Sequence, residues 1–132
     1  MRRLGAARAV LALAAVALGC HGAAPAREPV APPESPAQKY LRDPAAVERG
    51  HKIFIGTCGA YCHSTQNVER DAPSLFDCEW KHGGSDQQIH DVIANGVPGT
   101  RMPGWGQALP QGDDDVWRVV AYLRSASTCP AK

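Results

Sequence analysis

The chain has 132 residues, of which 44% are hydrophobic, 20% charged and 6% aromatic, and it carries a formal charge of +1. That length holds one domain with a thin core, and the charge balance, with no basic stripe, excludes a nucleic-acid-binding surface. Five cysteines in so small a chain point to staples or to a covalently held group.

Arg2, Arg3 and Arg8 precede an apolar run, AVLALAAVAL at 9–18, that ends at Gly19 and Cys20. A basic start, a short apolar stretch and small residues at its end describe a secretory leader over 1–19, and the run is too short to span a bilayer. ALGC resembles the bacterial lipobox, in which cleavage before the cysteine leaves a lipidated Cys20; ordinary cleavage after Ala24-Pro25-Ala26 is the alternative. More than one acyl chain on Cys20 makes a stable anchor. The three arginines leave with the leader, so the remainder is slightly acidic.

Residues 20–42 read as a Pro-rich tether. Pro25, Pro29, Pro32, Pro33 and Pro36 argue against a helix there, and no apolar period asks for burial. Such a segment holds a domain up to about 50 Å from a membrane. The folded domain is expected over 43–130.

Three helices are predicted in that domain. The first starts with Asp43 as N-cap and Pro44 at N1, and runs through AAVERGHKIFIGT with Val47, Ile53 and Phe54 on its apolar face. Gly50 interrupts it, and a mid-helix glycine usually marks close approach by another element. The second is SDQQIHDVIANG. Ser85 and Gln88 form a capping-box pattern, Ile89, Val92 and Ile93 form one stripe, and Gly96 is the stop. The third is DDDVWRVVAYLRSAS, where Asp113, Asp114 and Asp115 complement the helix dipole and Val116, Val119, Val120 and Leu123 face the core. Between the last two lies VPGTRMPGWGQALPQG, a long loop whose glycines and prolines exclude regular structure. It carries Met102, the only methionine besides the initiator.

After the first helix comes GTCGAYCHS, residues 56–64. Cys58, Cys62 and His63 resemble the c-type haem attachment pattern C-x-x-C-H with one residue too many. Taken alone the stretch is ambiguous. If Cys20 is lipidated and Cys58 and Cys62 hold a cofactor, Cys78 and Cys129 remain to pair in an oxidising compartment. The rivals are a Cys58–Cys62 disulfide beside Cys78–Cys129, and a zinc site from Cys58, Cys62, His63 and Cys78.

The ordered set of motifs decides the ambiguity. Gly50, Phe54 and Cys58 stand four residues apart, Cys62-His63 follows, then APSL at 72–75, IANGVPGTRMPGW, and VVAYLR with Val119 and Tyr122. From Asp43 to Ser127 the chain resembles a class I c-type cytochrome domain. The resemblance implies an all-α cytochrome c fold, three main helices wrapped around one covalently attached haem c. It implies thioethers from Cys58 and Cys62, axial ligands His63 and Met102, a Pro73 carbonyl accepting the His63 N–H, and Trp105 beside the cofactor. It also gives Gly50 a reason, since the last helix crosses the first at Gly50 and Phe54. FDCEWKHGGSD at 76–86 is outside the minimal pattern; Cys78 is read as the disulfide partner of Cys129 and Trp80 as packing. The extra residue is expected to bulge outward at Gly59, leaving Tyr61 on the outer face. His82 and His90 are rival sixth ligands for which surface solvation is expected; His51 and His21 are expected to be exposed.

The function implied is a periplasmic electron carrier rather than an enzyme. Low-spin His/Met iron leaves no open position for substrate. Its partners would be redox proteins, a dehydrogenase or membrane complex on one side and an oxidase or reductase on the other, with the lipid anchor at Cys20 holding it to the membrane. The alternatives are a haem subunit of a fixed oxidoreductase complex, such as a periplasmic alcohol dehydrogenase, and a ligand-binding haem sensor.

Overall fold

The structure is a computed structural model that describes residues 33–66 and 70–127. The leader, Cys20, His21 and Cys129 lie outside the described residues. Within them are α1 (Pro36–Leu41), α2 (Pro44–Ile53), α3 (Asp86–Asn95) and α4 (Asp113–Ala126), and no strand. The architecture is all-α, with α2, α3 and α4 at the three helices expected.

The helix α1 was not expected. The prolines from 25 to 36 read as an extended tether that includes residues 36–41, yet Pro36 sits at the first helical position, where a missing N–H costs nothing. Ser35 caps the helix, its Oγ accepting from Gln38 N at 3.3 Å. Ala37, 1% exposed, seats α1 on the core beside α4. The Asp86 carboxylate holds it there, accepting from Ser35 Oγ and Gln38 Nε2 while pairing with Arg124 of α4 at 2.7 Å. Burial pushes the Asp86 pKa up, and these hydrogen bonds outweigh it, so the carboxyl stays below its usual range.

Helix α2 runs from the Asp43 cap, whose carboxylate accepts from Ala45 N, and buries Ala46, Gly50 and, one residue past its end, Phe54 against α4. A Cβ on Gly50 would lie 2.0 Å from Arg118 O. Phe54 is fully buried and meets Phe76 edge-on and Tyr122 at a tilt, with ring centroids 5.7 and 5.4 Å away. From α4, Val116, Val119, Val120 and Leu123 complete the core, each 0–1% exposed. Burying one such side chain contributes about 1.5–3 kcal/mol.

The three aspartates that open α4 each make tertiary bonds. Asp115 is fully buried, receives Arg49 through two bonds of 2.6 and 2.8 Å, and also binds Arg118 at 2.9 Å and Gln111 N at 3.0 Å. Asp114 accepts from Tyr40 Oη of α1 at 2.9 Å. Asp113 accepts from Trp117 Nε1 at 2.9 Å and from His90 Nε2 at 2.6 Å. His90 is therefore not solvated as expected. It is 8% exposed, stacked on Trp117 at 4.0 Å, with Asp91 3.1 Å from its Nδ1. His51 is half-buried, its ring 4.7 Å from that of Tyr122. His82 is exposed.

Candidate functional site: a haem cavity

Helix α2 does not stop at Ile53 but widens into a π-helical segment, Phe54–Gly59. The turn that follows continues the widening: His63 N bonds to Cys58 O at 3.0 Å, five residues back, while Cys62 N reaches the same oxygen at 3.2 Å. A π-helical turn is what one inserted residue produces in an α-helix. The extra residue between the cysteines is thus absorbed by a wider helical turn instead of an outward loop. Gly59 sits in a close-packed position: a Cβ there would lie 3.0 Å from Thr65 Cγ2 and 3.5 Å from the Phe54 ring. Tyr61 does project to solvent, 77% exposed.

Cys58 and Cys62 are not joined in a disulfide. Separated by four residues on a helical turn, they share one face. Burial pushes the Cys58 thiol up to about 11, with the neighbouring Cys62 adding to the effect. The His63 ring is 9% exposed, and its Nδ1 donates to Pro73 O at 3.0 Å. That bond fixes the tautomer and leaves Nε2 as the nitrogen that can ligate a metal.

These residues border a cavity of about 660 Å³ that is also lined by Met102, Trp105 and Pro73. Its deep wall is apolar: Phe54, Ile93, Val119 and Leu123 come from three different elements. The volume is that of a cofactor site. Trp80 and His82, from the segment outside the minimal pattern, line it too. No motif marks either residue; only the fold brings that segment to the cavity.

The loop carrying Met102 is stitched to the end of α3. Trp105 N bonds to Ile93 O at 2.9 Å and Gly106 N to Ala94 O at 3.1 Å. A Cβ on Gly104 would stand 2.7 Å from Ala94 O, and one on Gly96 would stand 2.6 Å from Met102 O, so side chains are excluded where the strands of chain meet. Gly96 also has φ +75°, a left-handed stop for α3.

The donor set fits a haem. The cavity supplies a buried imidazole with a fixed tautomer, two thiols on one face beside it, a thioether and an apolar lining. Among the described residues no group of three or more His, Cys, Asp and Glu is placed to hold a metal ion, which removes the zinc reading. Bound haem supplies a one-electron iron couple; the chain holds it, fixes the imidazole through Pro73 and excludes water with the apolar wall.

Residues 45–123 match the family model for cytochrome c oxidase, cbb3-type, subunit III. The cbb3-type cytochrome c oxidase subunit CcoP of Rubrivivax gelatinosus is 33% identical over 96 residues, 72% of this chain and 31% of that protein. The subunit FixPc of Rhizobium leguminosarum bv. viciae is 35% identical over 89 residues, 63% of this chain and 29% of that protein. The chain therefore spans about a third of the length of the curated relatives it matches. In fold it is similar to the crystal structure of cytochrome CL from Methylophaga aminisulfidivorans MPT, with a TM-score of 0.59 at 22% identity over 67% of this chain and 57% of that one. The chain belongs to the family of cbb3-type cytochrome c oxidase subunit III, as a class I c-type cytochrome domain that carries haem c and transfers electrons.

Proposed function

We propose that the protein is a periplasmic, membrane-anchored one-electron carrier whose single haem c is bound through Cys58 and Cys62 and ligated by His63 and Met102. The observation that carries this reading is one cavity lined by all four residues, with the His63 ring oriented by Pro73 O. A saturated His/Met iron moves an electron with little rearrangement and offers substrate no position, so the domain itself is a carrier and not an enzyme. Lipidation of Cys20 would supply the anchor; no helix among the described residues is long and apolar enough to cross a membrane. A Cys78–Cys129 bridge would tie the tail to the segment beside the cavity: Cys78 is disulfide-bonded, and Cys129 lies outside the described residues.

A second reading, a fixed subunit of an oxidoreductase complex, is favoured by one observation. The relatives are named as subunits of cbb3-type oxidases and are about three times longer than this match. On that reading the partner is a terminal oxidase, and the tether serves assembly rather than diffusion.

Absorption spectra of the purified protein and of Met102→Ala test the ligand set. The weak red band of an iron–methionine bond is expected in the first and lost in the second, together with a lowered potential. A pyridine haemochrome lacking covalently bound haem would sink the whole reading. A reduced spectrum that shifts promptly with carbon monoxide would favour a ligand-binding role instead. Copurification with a large membrane complex at fixed stoichiometry would favour the subunit reading.

A further inference from the structure

Four hydrogen bonds close the turn from Val97 to Met102: Thr100 N donates to Val97 O at 3.2 Å, and two of the others meet on one hydroxyl. Thr100 Oγ1 donates to Val97 O at 2.8 Å and accepts from Met102 N at 3.1 Å. Met102 O in turn accepts from Val97 N at 3.1 Å. Both main-chain polar groups of Met102 are thus tied within this turn. Val97 follows Gly96, whose N–H bonds to Val92 O of α3, so the turn is fixed to a rigid helix on one side. On the other side Trp105 and Gly106 are bonded to α3 carbonyls. Thr100 is the side-chain tie between these two anchors. It is exposed yet borders the cavity.

We propose that Thr100 is a positioning residue for the Met102 sulfur, its hydroxyl holding the 97–102 turn in the shape that presents the thioether to the haem iron. This rests on Met102 being the axial ligand. Water replaces the partners of an exposed hydroxyl when the turn opens, so the bonds add little to global stability and act on the local opening. Each opening frees the sixth position. An added ligand reads that open fraction directly, because its apparent affinity scales with the fraction of competent molecules.

The test uses the ferric holoprotein as wild type, Thr100→Val and Thr100→Ser, titrated with imidazole while the red band is followed. Thr100→Val is expected to keep the band without imidazole and to bind imidazole roughly two- to tenfold more tightly, the factor of one net hydrogen bond. Thr100→Ser, which keeps the hydroxyl, is expected to match the wild type. Equal affinity in Thr100→Val and wild type overturns the proposal, and so does a Thr100→Ser that binds imidazole as tightly as Thr100→Val. Thermal unfolding by circular dichroism is expected to fall by less than about 8 °C in Thr100→Val; a larger fall means global damage and overturns the local role. A wild type without the band, unchanged by Met102→Ala, removes the ligand assignment itself, whereas an intact band with unaltered imidazole affinity removes only Thr100.

Discussion

Gly50 and Arg118 mark the point where α2 and α4 cross: a Cβ on Gly50 would stand 2.0 Å from the Arg118 carbonyl oxygen and 3.1 Å from Tyr122 Cβ. Backbone lies against backbone here, so neither side can yield by turning a side chain. Gly50→Ala gains helix propensity in α2 but forces the helices apart, and overpacking of this kind costs about 3 kcal/mol or more. Because Phe54 of the cavity wall hangs from the same helix, the variant is expected to show a lower denaturant midpoint and a reduced yield of haem-loaded protein. An unchanged midpoint would mean that the crossing relaxes freely.

The Asp115 cluster makes a pH prediction. The hydrogen bonds from Arg49 hold its carboxyl below the usual range against the opposing effect of burial, with Gln111 N and Arg118 assisting. A carboxylate depressed in the folded state contributes stability that is fully present above its unfolded pKa of about 3.9 and is lost as pH falls through the lower folded value. Asp86 has the same sign. Stability is therefore expected to hold from neutral pH down to about pH 5 and to fall below that. Asp115→Asn leaves Arg49 and Arg118 without their carboxylate and is expected to cost about 3 kcal/mol at pH 7. Denaturant titrations of both proteins at pH 7 and pH 3 check it, and the gap between them should narrow at the lower pH.

Asp86 also decides whether α1 stays docked. Its carboxylate bonds Ser35 and Gln38 of α1's first turn and Arg124 of α4. Asp86→Ala is expected to release α1 selectively, a six-residue helix too short to persist alone. Hydrogen exchange should accelerate in residues 36–41 while α2 and α4 stay protected. Uniform acceleration across the domain would argue that α1 is part of the main cooperative unit.

Removing Ala60 restores a two-residue spacing between the cysteines. Three-residue and four-residue separations share a helix face, so both thiols should remain beside His63, and the π-helical widening should revert to α-helix. Covalent haem content, read as pyridine haemochrome, is expected to be retained. Loss of covalent haem in a variant that still folds would show that the wider turn is required for attachment.

The site was far more legible in the sequence than its supports. Cys58, Cys62, His63, Pro73, Met102 and Trp105 all line the cavity, and each is readable through the resemblance to the c-type cytochrome domain, whose motifs stand in the same order along the chain. Gly50 was readable too, since only close backbone approach explains a glycine in mid-helix. The helix α1 escaped notice although Ser35-Pro36 has the same cap-and-proline pattern as Asp43-Pro44; the surrounding prolines outweighed it. The burial of His90 and Asp115 is not legible in the sequence, because whether a polar residue is buried depends on partners distant in sequence, Arg49 and Trp117 among them.

What the sequence determined by itself is local: helix periods, caps, stops, and the order of groups that can attach and ligate a haem. What only the tertiary structure decided is which polar groups leave water and how the spare residue is absorbed. The hydrogen bond from His63 N to Cys58 O, five residues back, is a feature of the folded turn that no motif encodes. The carboxylate of Asp115 is buried, and that of Asp86 partly so, where arginines from other helices arrive to meet them.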